Sequence, residues 1–134
     1  MTTTSSSPKP SRALLWTGRI ISAIPVLFMA GIGLFLIIFK PEIVIKGTTD
    51  FGYPSESVYP IFIAEMICVL LYVIPQTATL GAILLTAYLG GAVATHVHAS
   101  EFPQAIFPIL FGILVWLGLL LQEPRLRALL PLRC

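Results

Sequence analysis

The chain has 134 residues, enough for one compact domain, yet 57% of them are hydrophobic and only 10% are charged, against about 25% charged in an ordinary soluble domain, and the mean hydropathy is +0.94. The formal net charge of +2 sits at the ends of apolar runs and forms no basic stripe, which excludes a nucleic-acid-binding surface. The composition is that of an integral membrane protein whose main partner is the lipid bilayer.

Residues 1–11, MTTTSSSPKPS, show no apolar periodicity and cannot bury enough surface to offset their ordering entropy. Residues 1–15 are therefore predicted to be a disordered cytoplasmic tail, 16–122 a transmembrane domain and 123–134 a short cytoplasmic tail. Residues 20–39 then run without a charge, close to the roughly 20 residues that a hydrocarbon core of about 30 Å requires. Lys9, Arg12 and Arg19 precede this first helix as in a signal peptide, but the apolar run exceeds a signal core and no small-residue cleavage site follows, so it reads as retained. Pro25 inside it predicts a kink.

Residues 40–57, KPEIVIKGTTDFGYPSES, gather charge, glycine and proline and read as a water-exposed connection. Ser55 or Ser57 is placed to cap the next helix, with Pro60 in its first turn. A second helix over 58–74, a tight turn at 75–77 and a third helix over 78–97 follow, the short turn making the two helices antiparallel neighbours. A loop at 98–103 leads to a fourth helix over 104–121, and EPRLRALLPLRC ends the chain as an amphipathic segment on the membrane surface. The expected fold is all-α, a four-transmembrane-helix antiparallel bundle. Six cations (Lys9, Arg12, Arg19, Arg125, Arg127, Arg133) flank one side and two (Lys40, Lys46) the other, which puts both termini in the cytoplasm.

Glu65, within the apolar run PIFIAEMICVLLYVIP, is the sharpest feature. A carboxylate at a helix centre costs about 2.5–3.5 kcal/mol on insertion scales, so this one is expected to be neutral, turned toward protein, or in contact with water or a cation. Measured from the turn, Thr86, Ala87 and Tyr88 stand at its level on the third helix, and Cys68 and Tyr72 share its face. Two readings stand side by side: a proton-exchanging or ligand-contacting group, and a neutral acid that hydrogen-bonds helices together. On the third helix Ala87, Gly90, Gly91 and Ala94 recur at the four-residue spacing of close helix packing, with Tyr88 able to line a pocket left by the missing side chains. His96 and His98 are two apart, the wrong spacing for two ligands on one helix face, so no metal site is expected, and Glu101 is placed to pair with one of them. Cys68 and Cys134 make no redox pair and no expected disulfide. Trp16 suits an interfacial belt, Arg19 and Lys40 suit snorkelling positions, and Trp116 faces lipid or protein. No phosphate loop, nucleophile and base pair, or ligand cluster is present, which argues against a self-sufficient hydrolase or kinase.

The run LYVIPQTATLGAILLTAYLGGAVATHVH, with Glu65 upstream and WTGRIIS, FGYPSES and EPRLRALLPLR around it, closely resembles the DoxX-like family of small four-helix bacterial membrane proteins. The resemblance spans nearly everything after the tail and implies a multi-pass protein of the bacterial cytoplasmic membrane. The family takes its name from a subunit associated with quinone-linked oxidation of sulfur compounds, and some relatives are described in membrane oxidoreductase complexes. Its motif positions fall here on Glu65, Gly81, Thr86, Tyr88, Gly90, Gly91, Thr95 and His96. Two departures stand out: residues 32–39 lack the polar or basic residue common near the end of the first helix, and His98 stands where an arginine is common. The ligand-binding candidates are then Glu65, Thr86, Tyr88, Thr95 and His96 from the resemblance and Cys68 from its place on the Glu65 face; the resemblance implies a quinone as the ligand and a membrane oxidoreductase as partner, with a homo-oligomer as the alternative. The contrasting expectation is a non-catalytic scaffold or assembly module with Glu65 as internal glue.

Overall fold

The computed structural model describes residues 9–129. Residues 1–8 of the expected tail, and 130–134 with Cys134, lie outside the described residues. All regular structure among the described residues is helical. Helix α1 (Arg12–Val26), a π-helical stretch (Leu27–Ile32) and α2 (Gly33–Phe39) form one continuous run of 28 residues. Then come α3 (Pro41–Asp50), a 3₁₀ turn (Ser55–Ser57), α4 (Val58–Val73), α5 (Ala78–His98), α6 (Ile106–Gln122) and α7 (Pro124–Leu129). Arg12–Phe39, Ser55–Val73 and Ala78–His98 are long and apolar enough to cross a membrane. Helix α6, with 17 residues, is about 25 Å long at 1.5 Å per residue, a little under the hydrocarbon thickness.

Three sequence expectations shift. The first helix starts at Arg12, inside the span expected to be disordered, because the Ser11 hydroxyl accepts a hydrogen bond from the Leu14 N–H (3.3 Å) and so caps an orphan donor of the first turn. Where a kink was expected at Pro25, the helical run continues from Arg12 to Phe39. Two residues past Pro25 the chain widens into the π-helical stretch, which absorbs the disruption left by a residue that has no N–H to donate. The connection at 40–57 holds a helix, α3, that the sequence reading missed; Pro41 at its N1 position was the overlooked signal. Within α3, Lys46 and Asp50 form an exposed pair at 2.9 Å, and the hydrogen bond that the Lys46 ammonium donates to the Asp50 carboxylate holds it above its ordinary pKa.

Helix α5 folds back on α4 through the turn at Ile74–Thr77, where the Thr77 hydroxyl donates to Leu71 O (2.7 Å) at the end of α4. Tyr72 meets Gly81 and Glu65 meets Tyr88, each step forward along α4 matched by a step back along α5. Gly81 is what permits the approach: a Cβ there would stand 2.6 Å from the Leu71 carbonyl carbon and closer still to the Tyr72 backbone. A second seam joins α1 to α6. A Cβ on Gly18 would lie 2.9 Å from Gly118 O, and one on Gly118 would lie 2.9 Å from Ser22 N. These are the close backbone contacts by which helices associate where lipid removes the hydrophobic drive between them.

The buried cluster is small and central, formed by Met29, Val69, Tyr72, Ala82, Leu85, Leu89, Val115 and Leu119. Outside it, large apolar side chains such as Ile20, Leu27, Phe39, Ile63, Leu70 and Ile106 are exposed. A water-soluble protein does not tolerate so continuous an apolar exterior; a membrane protein requires it. The terminal α7 lays Leu126 against the core while Arg125 and Arg127 stay exposed.

Candidate functional site

Glu65 projects from the middle of α4 and is half-buried. The Tyr88 hydroxyl on α5 donates to its Oε2 (3.2 Å). On the other side stands Gly33, the first residue after the π-helical stretch: a Cβ there would come within 4.0 Å of the same carboxylate oxygen and 3.4 Å of the Phe62 ring. The first turn of α2 thus lies beside the carboxyl group at ordinary contact distance. Glu65 and Tyr88 open into a cavity of about 320 Å³ whose walls include Phe28, Met29, Phe107, Phe111 and His96. Phe28 and Phe111 close one side as a tilted aromatic pair with centroids 4.8 Å apart.

His96 reaches the cavity from the far end of α5, and that end is shaped by the backbone. Helix α5 stops with Ser100 in the left-handed region (φ 62°), Ser100 N–H bonded to Val97 O (3.0 Å) and Glu101 N–H to His96 O (2.8 Å). This pair of bonds is the Schellman arrangement, which returns the second residue past the cap over the last helical turn. Glu101 is that residue, and its Oε2 lies 3.2 Å from His96 Nδ1. The Phe51 ring meets the other side of the imidazole edge-on at 5.0 Å, and the Tyr53 hydroxyl bonds the Thr95 hydroxyl (2.9 Å). The segment after α3, turned at Gly52 (φ 87°), therefore packs on the end of α5. With the Glu101 side chain 42% exposed and His96 24%, this polar pair links the cavity to the outside of the helices.

The predicted residues divide accordingly. Glu65, Tyr88 and His96 meet at one cavity. Thr86 does not join them: its hydroxyl donates to Ala82 O (2.7 Å) and accepts from Trp116 Nε1 (2.7 Å), so it ties α5 to α6 on a different face. Trp116, whose environment the sequence left open, is thereby turned toward protein. Thr95 donates to Gly91 O (2.9 Å) and receives Tyr53, a position beside the cavity mouth. Cys68 packs against the buried cluster. Glu101 pairs with His96 rather than His98, which is exposed.

The proposed packing face of α5 is corrected. Ala87, Gly90, Gly91 and Ala94 are all exposed, and a Cβ on Gly90 or Gly91 would meet nothing within 4 Å. The small residues that bring helices together are Gly81, Gly18 and Gly118. Regular spacing marks a face but does not say which face is covered. The π-helical stretch and the Phe28, Phe107 and Phe111 lining were also missed; Pro25 was the local signal for the first, and nothing local marked the phenylalanines as lining, Phe28 and Phe107 being largely exposed as well.

A family model, that of the DoxX-like family, matches residues 20–118. That span runs from the first crossing to Gly118 in α6 and includes Glu65, Tyr88 and His96. No curated protein and no solved structure matches the chain. A family match over most of the chain, joined to helices of membrane-crossing length and an apolar exterior, makes this a membrane protein of the DoxX-like family.

Proposed function

We propose that the chain is a quinone-linked membrane subunit that binds a quinone headgroup in the cavity of Glu65, Tyr88 and His96 and works with a membrane oxidoreductase partner. The observation that carries this reading is the meeting of a carboxyl group, a phenol and an imidazole with three phenylalanines in one cavity. Aromatic walls suit a planar ring, and the polar groups suit carbonyl oxygens that take up protons when the ring is reduced. Quinone reduction consumes two electrons and two protons; in this reading the oxidoreductase partner supplies the electrons. Glu65 holds one proton at its carboxyl, Tyr88 orients that group through its hydrogen bond, and the His96–Glu101 pair exchanges protons with water at the mouth.

In this reading α1–α2, α4, α5 and α6 form an antiparallel four-helix bundle in the bacterial cytoplasmic membrane. The matched registers of α4 with α5 and of α1 with α6 support the arrangement. The excess of cations near the chain ends supports cytoplasmic termini and a His96–Glu101 pair facing outward.

The second reading, a scaffold with Glu65 as internal glue, draws on the same Tyr88–Glu65 bond. Binding of decylubiquinone to the purified chain in lipid nanodiscs separates the two. The quinone reading expects saturable binding, weakened about tenfold in Glu65→Gln, as loss of one hydrogen bond to a charged or proton-sharing group implies, with thermal stability little changed. No saturable binding by the wild type, together with a lower melting temperature in Glu65→Gln, favours the scaffold.

A further inference from the structure

A second cavity, of about 480 Å³, lies along α1 from Leu15 to Val26, between that helix, the α4–α5 turn and the end of α6. Its inner wall holds a closed chain of hydrogen bonds. Gln122 Nε2 donates to Ser22 Oγ (2.9 Å) and Gly118 O (2.9 Å), Ser22 donates to the Tyr72 hydroxyl (2.8 Å), and Tyr72 donates to Val115 O (2.8 Å). Every donor in this chain is used, so what the network has left to offer a ligand is acceptors. Gln122 Oε1 in particular takes no hydrogen bond among the described residues. The rim carries opposite charges: Arg19, exposed and stacked over Trp16 at 5.5 Å with no carboxylate partner among the described residues, and Glu123, half-buried, one of whose oxygens accepts from the Arg125 N–H. The remaining lining is largely apolar, including Leu15, Val26 and Leu119.

We propose that this cavity binds a zwitterionic aminophospholipid, its phosphate on Arg19, its primary ammonium between Glu123 and Gln122 Oε1, and its first methylenes on the apolar floor. Charge complementarity decides the class. A guanidinium and a carboxylate on one rim suit a headgroup carrying both signs; a purely anionic lipid meets Glu123 and a purely cationic one meets Arg19. The position decides that the ligand is a lipid, since the rim lies where the apolar spans end and an arginine beside an interfacial tryptophan marks headgroup depth. The acceptors decide between amines, because Glu123 and Gln122 can take hydrogen bonds from a primary ammonium and none from a quaternary one.

The test is native mass spectrometry of the full chain released from micelles with equimolar phosphatidylethanolamine, phosphatidylcholine and phosphatidylglycerol. Phosphatidylethanolamine is expected to be retained about tenfold over phosphatidylcholine, the value of hydrogen bonds to a charged acceptor. Glu123→Gln brings that ratio toward one, and Arg19→Gln lowers retention of all three lipids. Glu65→Gln leaves retention unchanged, so this site and the quinone cavity stand or fall separately. Equal retention of the two zwitterionic lipids by the wild type, or phosphatidylglycerol as the favoured lipid, overturns the proposal. Both of those comparisons use the unaltered protein and stand even if a variant fails to fold.

Discussion

Helix α5 carries glycine at two levels for opposite reasons. Gly81, one turn into the helix, is buried where the chain of α4 passes too close for any side chain. Gly90 and Gly91, further on, belong to the more regular small-residue pattern, yet they face outward with open space beside them. The difference teaches that in a membrane protein a small residue is informative through what passes over it. The Ala87 to Ala94 pattern satisfies a spacing rule, while Gly81 satisfies a contact.

Substitution sharpens or breaks this contrast. Gly81→Ala should have the largest effect, destabilising by about 1–3 kcal/mol or more as an overpacked contact against backbone that cannot move aside; thermal unfolding in mild detergent reads it. A wild-type melting temperature would mean that α4 and α5 separate more easily than their seam implies. Tyr72→Phe is expected to come next, at about 1–2 kcal/mol. It removes the donor to Val115 O and the acceptor for Ser22 while leaving the ring in place. Gly90→Ala should have the smallest effect, neutral or stabilising by up to about 1 kcal/mol through helix propensity alone. Destabilisation on the scale of Gly81→Ala would show that another molecule covers this face.

Much of the helical plan was legible in the sequence because bilayer thickness imposes it. The spans expected at 58–74 and 78–97 match α4 and α5 within a residue at each end, since charge and proline mark both boundaries. Helix α3 was not legible as a helix: its composition is mixed and charged, and its Pro41 signal was outweighed by the turn residues around it. In the candidate site, Glu65 announced itself by the cost of a carboxyl group in an apolar run, and Tyr88 followed from counting back across a short turn. Thr86 was placed at the same level by the same count, but two residues rotate a helical side chain by roughly 200°, and it points to Trp116 instead.

The amino-acid sequence by itself determined that this chain enters a membrane, where its apolar spans begin and end, and that one carboxyl group must find shelter inside. Those are matters of transfer free energy and length, which each segment expresses alone. The tertiary structure decided which face of each helix is covered and which glycines permit contact. It also joined His96 to Glu65 at one cavity and Arg19 to Glu123 at another. In these helices apolar residues occupy covered and lipid-facing sides alike, so hydrophobicity cannot distinguish inside from outside, and the fit of one backbone against another makes the choice.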